Sequence, residues 1–270
     1  MKQKRIVVKY GGNAMTDATI QEKLVKQLCA LRKEGHEIIV VHGGGPFIQE
    51  ALDKAGIVSE FVDGQRKTTK EAFEQVEMVL KGKVNGRLVN LFNRNGYRAV
   101  GLSGKDGRMV TARKRYHIST SGGKTIKTDI GMVGDVSRVH TNLLELLLSS
   151  DFIPVITCIA SDEEGNDYNI NGDVFAGYIA AALKADEYIV LTDVDGLMRD
   201  IKNPNSLIPS LSLDEIPGLL EEKIIAGGMI PKIEACITAI ERGTRKVRIL
   251  NGTKPEQLKT ADAGTEIISE

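Results

Sequence analysis

Tryptophan is absent from this 270-residue chain, and aromatic residues make up only 4% of it. A stacking platform for single-stranded nucleic acid therefore has little to build on. Cysteine is sparse as well. Cys29, Cys158 and Cys236 form an odd set, lie more than 75 residues apart and include no CxxC. Neither a disulfide framework nor a zinc site is indicated, and their apolar neighbours predict buried thiols in a reducing cytoplasm. No run of about 18 apolar residues occurs, so no membrane span is expected. Residues 1–5 enter a strand directly, with no apolar leader or small-residue cleavage pattern. Excess charge of one sign is also missing: Lys plus Arg and Asp plus Glu number 36 each. No global field draws polyanions, so any anion site has to be local. The chain thus reads as cytoplasmic, without nucleic-acid or membrane partners.

What is present is ordinary for a globular protein, with 41% apolar and 27% charged residues. Folding at this length hides roughly three quarters of the unfolded surface, enough for a full core. Residues 5–10 (RIVVKY) read as a strand ending in Gly11-Gly12. A helix follows from Asp17 to Glu34, with Ile20, Leu24, Leu28 and Leu31 on one face and Gly35 closing it. Residues 37–41 (EIIVV) are a second strand, ending in His42-Gly43-Gly44-Gly45, and Pro46 opens the next helix. Nearly all-apolar strands alternating with helices predict a parallel sheet covered on both faces.

The middle is less regular. Turn signals at 57–68 predict a hairpin, and 69–94 a helix broken near Gly82 or Gly86. A short strand is expected at 98–101, and antiparallel strands over 108–137 around a mobile loop at 117–128. Thr141 is the expected N-cap of a helix to Ser149. Further strands are expected at 152–159, 187–191, 246–250 and 265–268, and helices at 172–184, 213–221, 231–242 and 255–259. No repeat or clean linker divides the chain, although chemistry-bearing loops lie on both sides of residue 165.

Two loops share one design: Lys9-Tyr10-Gly11-Gly12-Asn13 and His42-Gly43-Gly44-Gly45-Pro46. Each follows an apolar strand and precedes a helix. Glycine permits close backbone approach, and the helix start offers unpaired N–H groups and partial positive charge. Two such loops on neighbouring strand ends predict one shared phosphate site. Other candidates fit less well. Gly122-Gly123-Lys124-Thr125 resembles the end of a P-loop, but Ile118 stands where its first glycine belongs, so a flexible basic loop is the better reading. Gly101, Gly104 and Gly107 miss the dinucleotide spacing, and Val41-His42 stands where a dehydrogenase needs an acidic residue. His42 reads as packing at a strand end rather than as an acid–base group. His36, His117 and His140 lack ligand spacing.

Those two loops resemble the amino-acid kinase family, and within it the acetylglutamate kinase branch. The similarity continues, in order, through Gly64-Gln65-Arg66-Lys67-Thr68-Thr69, Val100-Gly101-Leu102-Ser103-Gly104-Lys105-Asp106-Gly107 and Asn169-Ile170-Asn171-Gly172-Asp173. It ends with Leu191-Thr192-Asp193-Val194-Asp195-Gly196-Leu197 and Gly227-Gly228-Met229-Ile230-Pro231-Lys232. The resemblance implies a three-layer α/β/α sandwich with an open, mainly parallel sheet. Residues 1–165 would bind the acyl amino acid and residues 166–270 ATP, on one continuous sheet. It also implies transfer of the γ-phosphate of ATP to the side-chain carboxylate of N-acetyl-L-glutamate, in arginine biosynthesis. Mg²⁺ would ride on the phosphates without a direct protein ligand.

A carboxylate nucleophile needs no strong base. The obstacle is the approach of two anions, so catalysis should rest on positioning and charge neutralisation. By resemblance, Lys9 and Lys232 reach the transferring phosphoryl group from the two halves, and Asp173 orients both. Gly12, Gly44 and Gly45 would donate backbone N–H bonds to it. Gly44 and Gly45, with Arg66 as a two-pronged clamp and Asn169 beside it, form the acceptor side. Lys9, Gly11, Gly12, Thr192, Asp193, Gly196, Leu197, Gly228, Met229 and Lys232 form the ATP side, Asp193 also steadying a lysine.

Two alternatives stay open. The same chemistry could act on N-succinylglutamate or carrier-linked aminoadipate. A sensor that kept the fold would bind without turnover, against which the full set of Lys9, Asp173 and Lys232 argues. Arginine-inhibited relatives carry an extra N-terminal helix. Here the first strand begins near residue 5, which predicts a homodimer insensitive to arginine.

Overall fold

The computed structural model describes residues 2–62, 65–121 and 124–269. The N-terminal elements are β1 (Arg5–Tyr10), α1 (Ala18–Lys33), β2 (Glu37–His42), α2 (Gly45–Lys54), β3 (Phe61–Val62), β4 (Gln65–Arg66), α3 (Lys70–Glu77) and α4 (Asn85–Arg94). Next come β5 (Ala99–Ser103), β6 (Val110–Ser121), β7 (Lys124–Val139), α5 (Asn142–Ser149), β8 (Ile153–Thr157), β9 (Ile159–Ser161) and β10 (Asp167–Ile170). The remainder is α6 (Gly172–Ala182), β11 (Glu187–Thr192), β12 (Ser210–Ser212), α7 (Ile216–Glu221), α8 (Ile230–Glu241), β13 (Val247–Asn251) and β14 (Thr265–Ile268).

One eight-stranded sheet runs in the order β12-β14-β13-β11-β1-β2-β8-β5. From β13 to β5 every neighbouring pair is parallel, and the direction reverses only where β14 meets β13. The central strands are buried on both faces, which explains why IVV, IIVV and YIVL are unbroken apolar stretches rather than alternating ones. The chain leaves β1 toward β2 on one side, while β11 leads to β13 on the other. Right-handed crossovers in opposite directions place α1 and α8 on opposite faces. α1 packs with α4 on one face, and α6 packs with α8 on the other. The expected three-layer sandwich is therefore present. At the α6–α8 crossing, a Cβ on Gly177 would lie 2.6 Å from the Ala235 carbonyl oxygen. Only glycine lets the two helices come this close.

Local signals work where the sequence carried them. Asp17 caps α1 by accepting from the backbone N–H of Thr19 at 2.7 Å and of Ile20 at 3.0 Å. Gly35 adopts φ 93° beyond its end. Three expectations change. Thr141 stands in the cap position of α5, but its side chain makes no capping bond. The break near Gly82 is a π-helical turn over Met78–Val84 that joins α3 to α4 without interruption. Residues 117–121 and 124–128 are not a loop, because β6 and β7 stay paired out to Ser121↔Lys124. Together with β9 and β10 these strands close a small barrel beside the main sheet. Gly64, Gly122 and Gly123 lie outside the described residues. The three cysteines are buried free thiols. Among the described residues no helix is long and apolar enough to cross a membrane.

Candidate active site

Strand order reverses between β1 and β11, and the crevice beyond the C-terminal ends of such strands is where open α/β sheets bind ligands. Both glycine loops open there, because β1 and β2 are neighbours in register, Tyr10 opposite His42. The Gly43 N–H donates to the Tyr10 carbonyl at 3.0 Å and ties the loops together. Gly12 has φ 76°, and a Cβ there would fall 2.9 Å from Asp193 Oδ1. Gly44 is extended at φ 170°. Its lack of a side chain serves packing instead, since a Cβ would meet Leu80 Cδ2 at 2.7 Å.

Lys9 ends β1, Asp173 begins α6, and Lys232 lies in the first turn of α8. All three meet. Lys9 Nζ is 2.9 Å from Asp173 Oδ1, and Lys232 Nζ is 3.0 Å from Asp173 Oδ2. Lys9 is 6% and Asp173 5% exposed. The Lys9 contact is an ion pair lying off hydrogen-bond alignment, whereas the Lys232 ammonium donates a hydrogen bond. Burial alone would raise the Asp173 carboxyl pKa. The charges of Lys9 and then Lys232 outweigh it and hold the group below its ordinary 3.8. Burial lowers the Lys232 pKa, and the like charge of Lys9 lowers it further; Asp173 only partly offsets this. The helix dipoles have opposite consequences. Asp173 sits in the first turn of α6, where an anion is favoured, while Lys232 sits in the first turn of α8, where a cation is not. Lys232 is thus a cation held against both burial and the helix dipole.

The surroundings are hydrogen-bonded. Asn171 Oδ1 caps α6 by accepting from the N–H of Asp173 at 2.9 Å and of Val174 at 3.2 Å. Buried Tyr188 donates its hydroxyl to the Asp173 carbonyl at 3.0 Å. On the β11 side, Asp193 accepts from Asn13 N at 3.1 Å and Asn13 Nδ2 at 3.0 Å, bridging the β1 loop to the end of β11. Its negative charge also supports the charged form of Lys232. The Thr192 carbonyl accepts from Gly252 N at 2.7 Å. Gly228 and Met229 form a 3₁₀ turn that delivers Lys232. Gly11 lies under the Lys9 ammonium, so a side chain there would push it aside. Gly196 and Leu197 are placed differently. Leu197 is 1% exposed, its N–H donates to Thr265 Oγ1 at 2.8 Å and its carbonyl accepts from Ile208 at 2.8 Å. Gly196 has φ 144° and faces the same threonine. Both shape the turn after β11.

A cavity of about 210 Å³ adjoins this centre and is lined by Gly44, Gly45, Arg66 and Asn169 together. Arg66 leans over the Phe61 ring, 4.6 Å from its centroid. It donates to Gln49 Oε1 at 2.9 Å and to the Ser59 hydroxyl. Burial lowers its pKa. Asn171, Arg115 and Asp135 line the same cavity without having been singled out from the sequence. Asn171 was within reach, since it stands two residues from Asn169 and directly before a helix. His42 is fully buried. Its Nδ1 lies 2.9 Å from the Gly43 carbonyl, its Nε2 lies 2.9 Å from Asn85 Nδ2, and burial lowers its pKa to about 4. A neutral histidine locked on both nitrogens packs rather than shuttles protons. Among the described residues no group of three or more His, Cys, Asp or Glu side chains could hold a metal ion.

The pattern of the amino acid kinase family matches residues 4–251. The chain belongs to the amino acid kinase family. It is 45% identical to an acetylglutamate kinase of Heliobacterium modesticaldum over 256 residues, covering 94% of this chain and 87% of the relative. An acetylglutamate kinase of Methanococcus maripaludis is 44% identical over 271 residues, covering 98% and 92%. Among solved structures, an N-acetylglutamate synthase of Neisseria gonorrhoeae complexed with coenzyme A and N-acetyl-glutamate superposes with TM-score 0.81 at 24% identity, covering 99% of this chain and 60% of that one. A carbamate kinase of Giardia superposes with TM-score 0.70 at 17% identity, over the full length of both chains. At these identities the structures establish the shared fold.

Proposed function

We propose that this chain transfers the γ-phosphate of ATP to the side-chain carboxylate of N-acetyl-L-glutamate, giving N-acetylglutamyl 5-phosphate, a step of arginine biosynthesis. Full-length similarity to acetylglutamate kinases supports the substrate pair. The observation that carries the mechanism is the pairing of Lys9 and Lys232 with one buried carboxylate beside two glycine loops. Two ammonium groups on one carboxylate leave one net positive charge facing the crevice. A carboxylate oxygen of the acceptor attacks the γ-phosphorus, the bond from that phosphorus to the β,γ-bridging oxygen breaks, and ADP leaves with the electron pair. The phosphoryl group in flight is negatively charged, and the two lysines and the loop N–H groups at Gly12, Gly44 and Gly45 neutralise it without having to reorganise.

Arg66 and Asn169 hold the acceptor's α-carboxylate, and Gly44 and Gly45 form the wall beside them. Lys9, Gly11, Gly12, Thr192, Asp193, Gly228, Met229 and Lys232 face the nucleotide, with Gly196 and Leu197 setting the turn behind. Residues 1–165 chiefly serve the acceptor and 166–270 the nucleotide, with Asn169 crossing to the acceptor side and Lys9, Gly11 and Gly12 to the phosphates. The donor set of two ammoniums and one engaged carboxylate does not form a metal cage, so Mg²⁺ would enter on the phosphates of ATP. We further propose a cytoplasmic homodimer.

The test is an ADP-release assay with hydroxylamine trapping of the acyl phosphate. It should be run over N-acetyl-L-glutamate, N-succinyl-L-glutamate and carrier-linked aminoadipate. Turnover of N-acetyl-L-glutamate with trapped hydroxamate is expected. Turnover of the carrier-linked acid alone, or binding without turnover, would overturn the reading.

A further inference from the structure

Arg66 is not alone among guanidinium groups on the wall of the acceptor cavity. Arg115 lines the same space as Gly44, Arg66 and Asn169. It also lines an adjoining cavity of about 700 Å³ that reaches Gly227 and Gly228, at the turn delivering Lys232. It therefore stands where the acceptor space opens toward the nucleotide side. The strand pairing is irregular at this point. The ladder between β6 and β7 loses register between Lys114 and Tyr116, and Arg115 falls in the break. The extra residues, 130–133, are on β7 opposite Arg115, and such irregularities concentrate next to active sites. Opposite this break, Gly131 of β7 pairs with Thr68, two residues after Arg66. The irregularity thus locks the segment carrying Arg66 and the strand carrying Arg115 into one frame.

The side chain is held but not used up. Arg115 Nη1 lies 2.7 Å from Asp135 Oδ1, and Asp135 lines the cavity too. A guanidinium has five N–H donors in a planar fork, and this contact occupies one corner of it. Charge balance points the same way. Arg66 and Arg115 bring two positive charges to the cavity wall and Asp135 one negative charge. Without Arg115 the wall would be neutral, and Asp135 would confront an acceptor with two carboxylates as a bare anion.

We infer that Arg115 is a substrate-positioning residue, its guanidinium donating hydrogen bonds to a carboxylate of the acceptor while Asp135 holds it in place. This rests on the acceptor reading above. It is tested on the full chain by calorimetric titration of N-acetyl-L-glutamate without nucleotide, together with steady-state kinetics. The variants are Arg115→Met, Arg115→Lys, Asp135→Asn and the double variant Arg115→Met/Asp135→Asn. Arg115→Met should raise both the acceptor Kd and the acceptor KM about 10- to 100-fold, the loss expected for one charged hydrogen-bond partner. The KM for ATP and kcat should stay within roughly threefold. Arg115→Lys should recover part of the loss. The double variant should recover only a small part of the loss, because removing Asp135 relieves its repulsion of the acceptor but cannot replace a direct contact. An unchanged acceptor Kd and KM in Arg115→Met would overturn the inference. So would recovery of native affinity in the double variant, which would reduce Arg115 to a counter-ion of Asp135. Failure of the unmodified chain to phosphorylate the acceptor would instead sink the proposed function, and the two failures are thereby distinguishable.

Discussion

Replacing Asp173 by Asn keeps shape and volume while removing the one negative charge between two ammoniums. At about 3 Å and an effective dielectric constant near 20, each attraction is roughly 5 kcal/mol before desolvation is counted. Most of that is offset by the cost of burying the ions, and breaking a buried pair by deleting one partner typically costs about 3–5 kcal/mol. For a protein of this size that corresponds to a fall in Tm of about 6–20 °C. The pH dependence is more diagnostic. In the native protein, burial and Lys9 already lower the Lys232 pKa from 10.5, and Asp173 is the main opposing influence. Without it, the folded-state pKa of Lys232 drops further. The destabilisation is then fully present at low pH, where Lys232 is forced to stay charged. It is relieved as pH rises through the lowered folded pKa toward 10.5, because the folded state sheds the proton first. Urea denaturation of Asp173→Asn from pH 6 to 10 should show the deficit shrinking with pH. Over the same range kcat should be at least about 100-fold reduced and should decline further, since the neutral amine cannot stabilise the phosphoryl group. A variant within about 1 kcal/mol of native stability, with kcat within tenfold at every pH, would refute the reasoning.

Other outcomes follow from the same geometry. Lys9→Ala and Lys232→Ala should each lower kcat about 100- to 1,000-fold while shifting the KM for ATP only modestly, as steady-state kinetics can check. Gly177→Val should cost at least about 1–3 kcal/mol in urea denaturation, because its Cβ meets the Ala235 carbonyl oxygen at 2.6 Å and backbone cannot step aside. Burial lowers the His42 pKa from 6.5 to about 4, so the unfolded chain takes up a proton that the folded chain refuses. This contributes roughly 3 kcal/mol of stability above pH 6.5 that is lost as pH falls toward 4, a slope that His42→Gln should flatten. Because His42 stays neutral, log kcat against pH should show no histidine inflection near 6.5 from this residue.

Much of the molecule can be read along the chain. Apolar runs ended by glycine announced the parallel strands, and Asp17 and Gly35 announced the bounds of α1. Those signals are local, since periodicity, caps and positive φ depend on a few adjacent residues. The family resemblance nominated Lys9, Arg66, Asp173 and Lys232, each beside a glycine turn or a helix start. Where local signals failed, pairing decided. Residues 117–128 are rich in Ser, Thr, Gly and Lys and read as a loop, yet cross-strand bonds between β6 and β7 hold those described here as strand. Leu197 sits in a motif that looked ligand-facing, but the fold turns it into the core behind the turn.

Residue order alone could not show that amines at positions 9 and 232 share one carboxylate, which only the family resemblance implied. That adjacency comes from the strand order β11-β1-β2, with α6 and α8 crossing on one face close enough for Asp173 to reach both. Nor could it reveal Arg115, which stands on the cavity wall at a register break between two strands, a property of the pair and of neither sequence alone. The sequence by itself determined the elements and the chemical groups available. The tertiary structure decided which groups meet, because meeting is a matter of register and crossover, and these are settled only when the apolar faces pack.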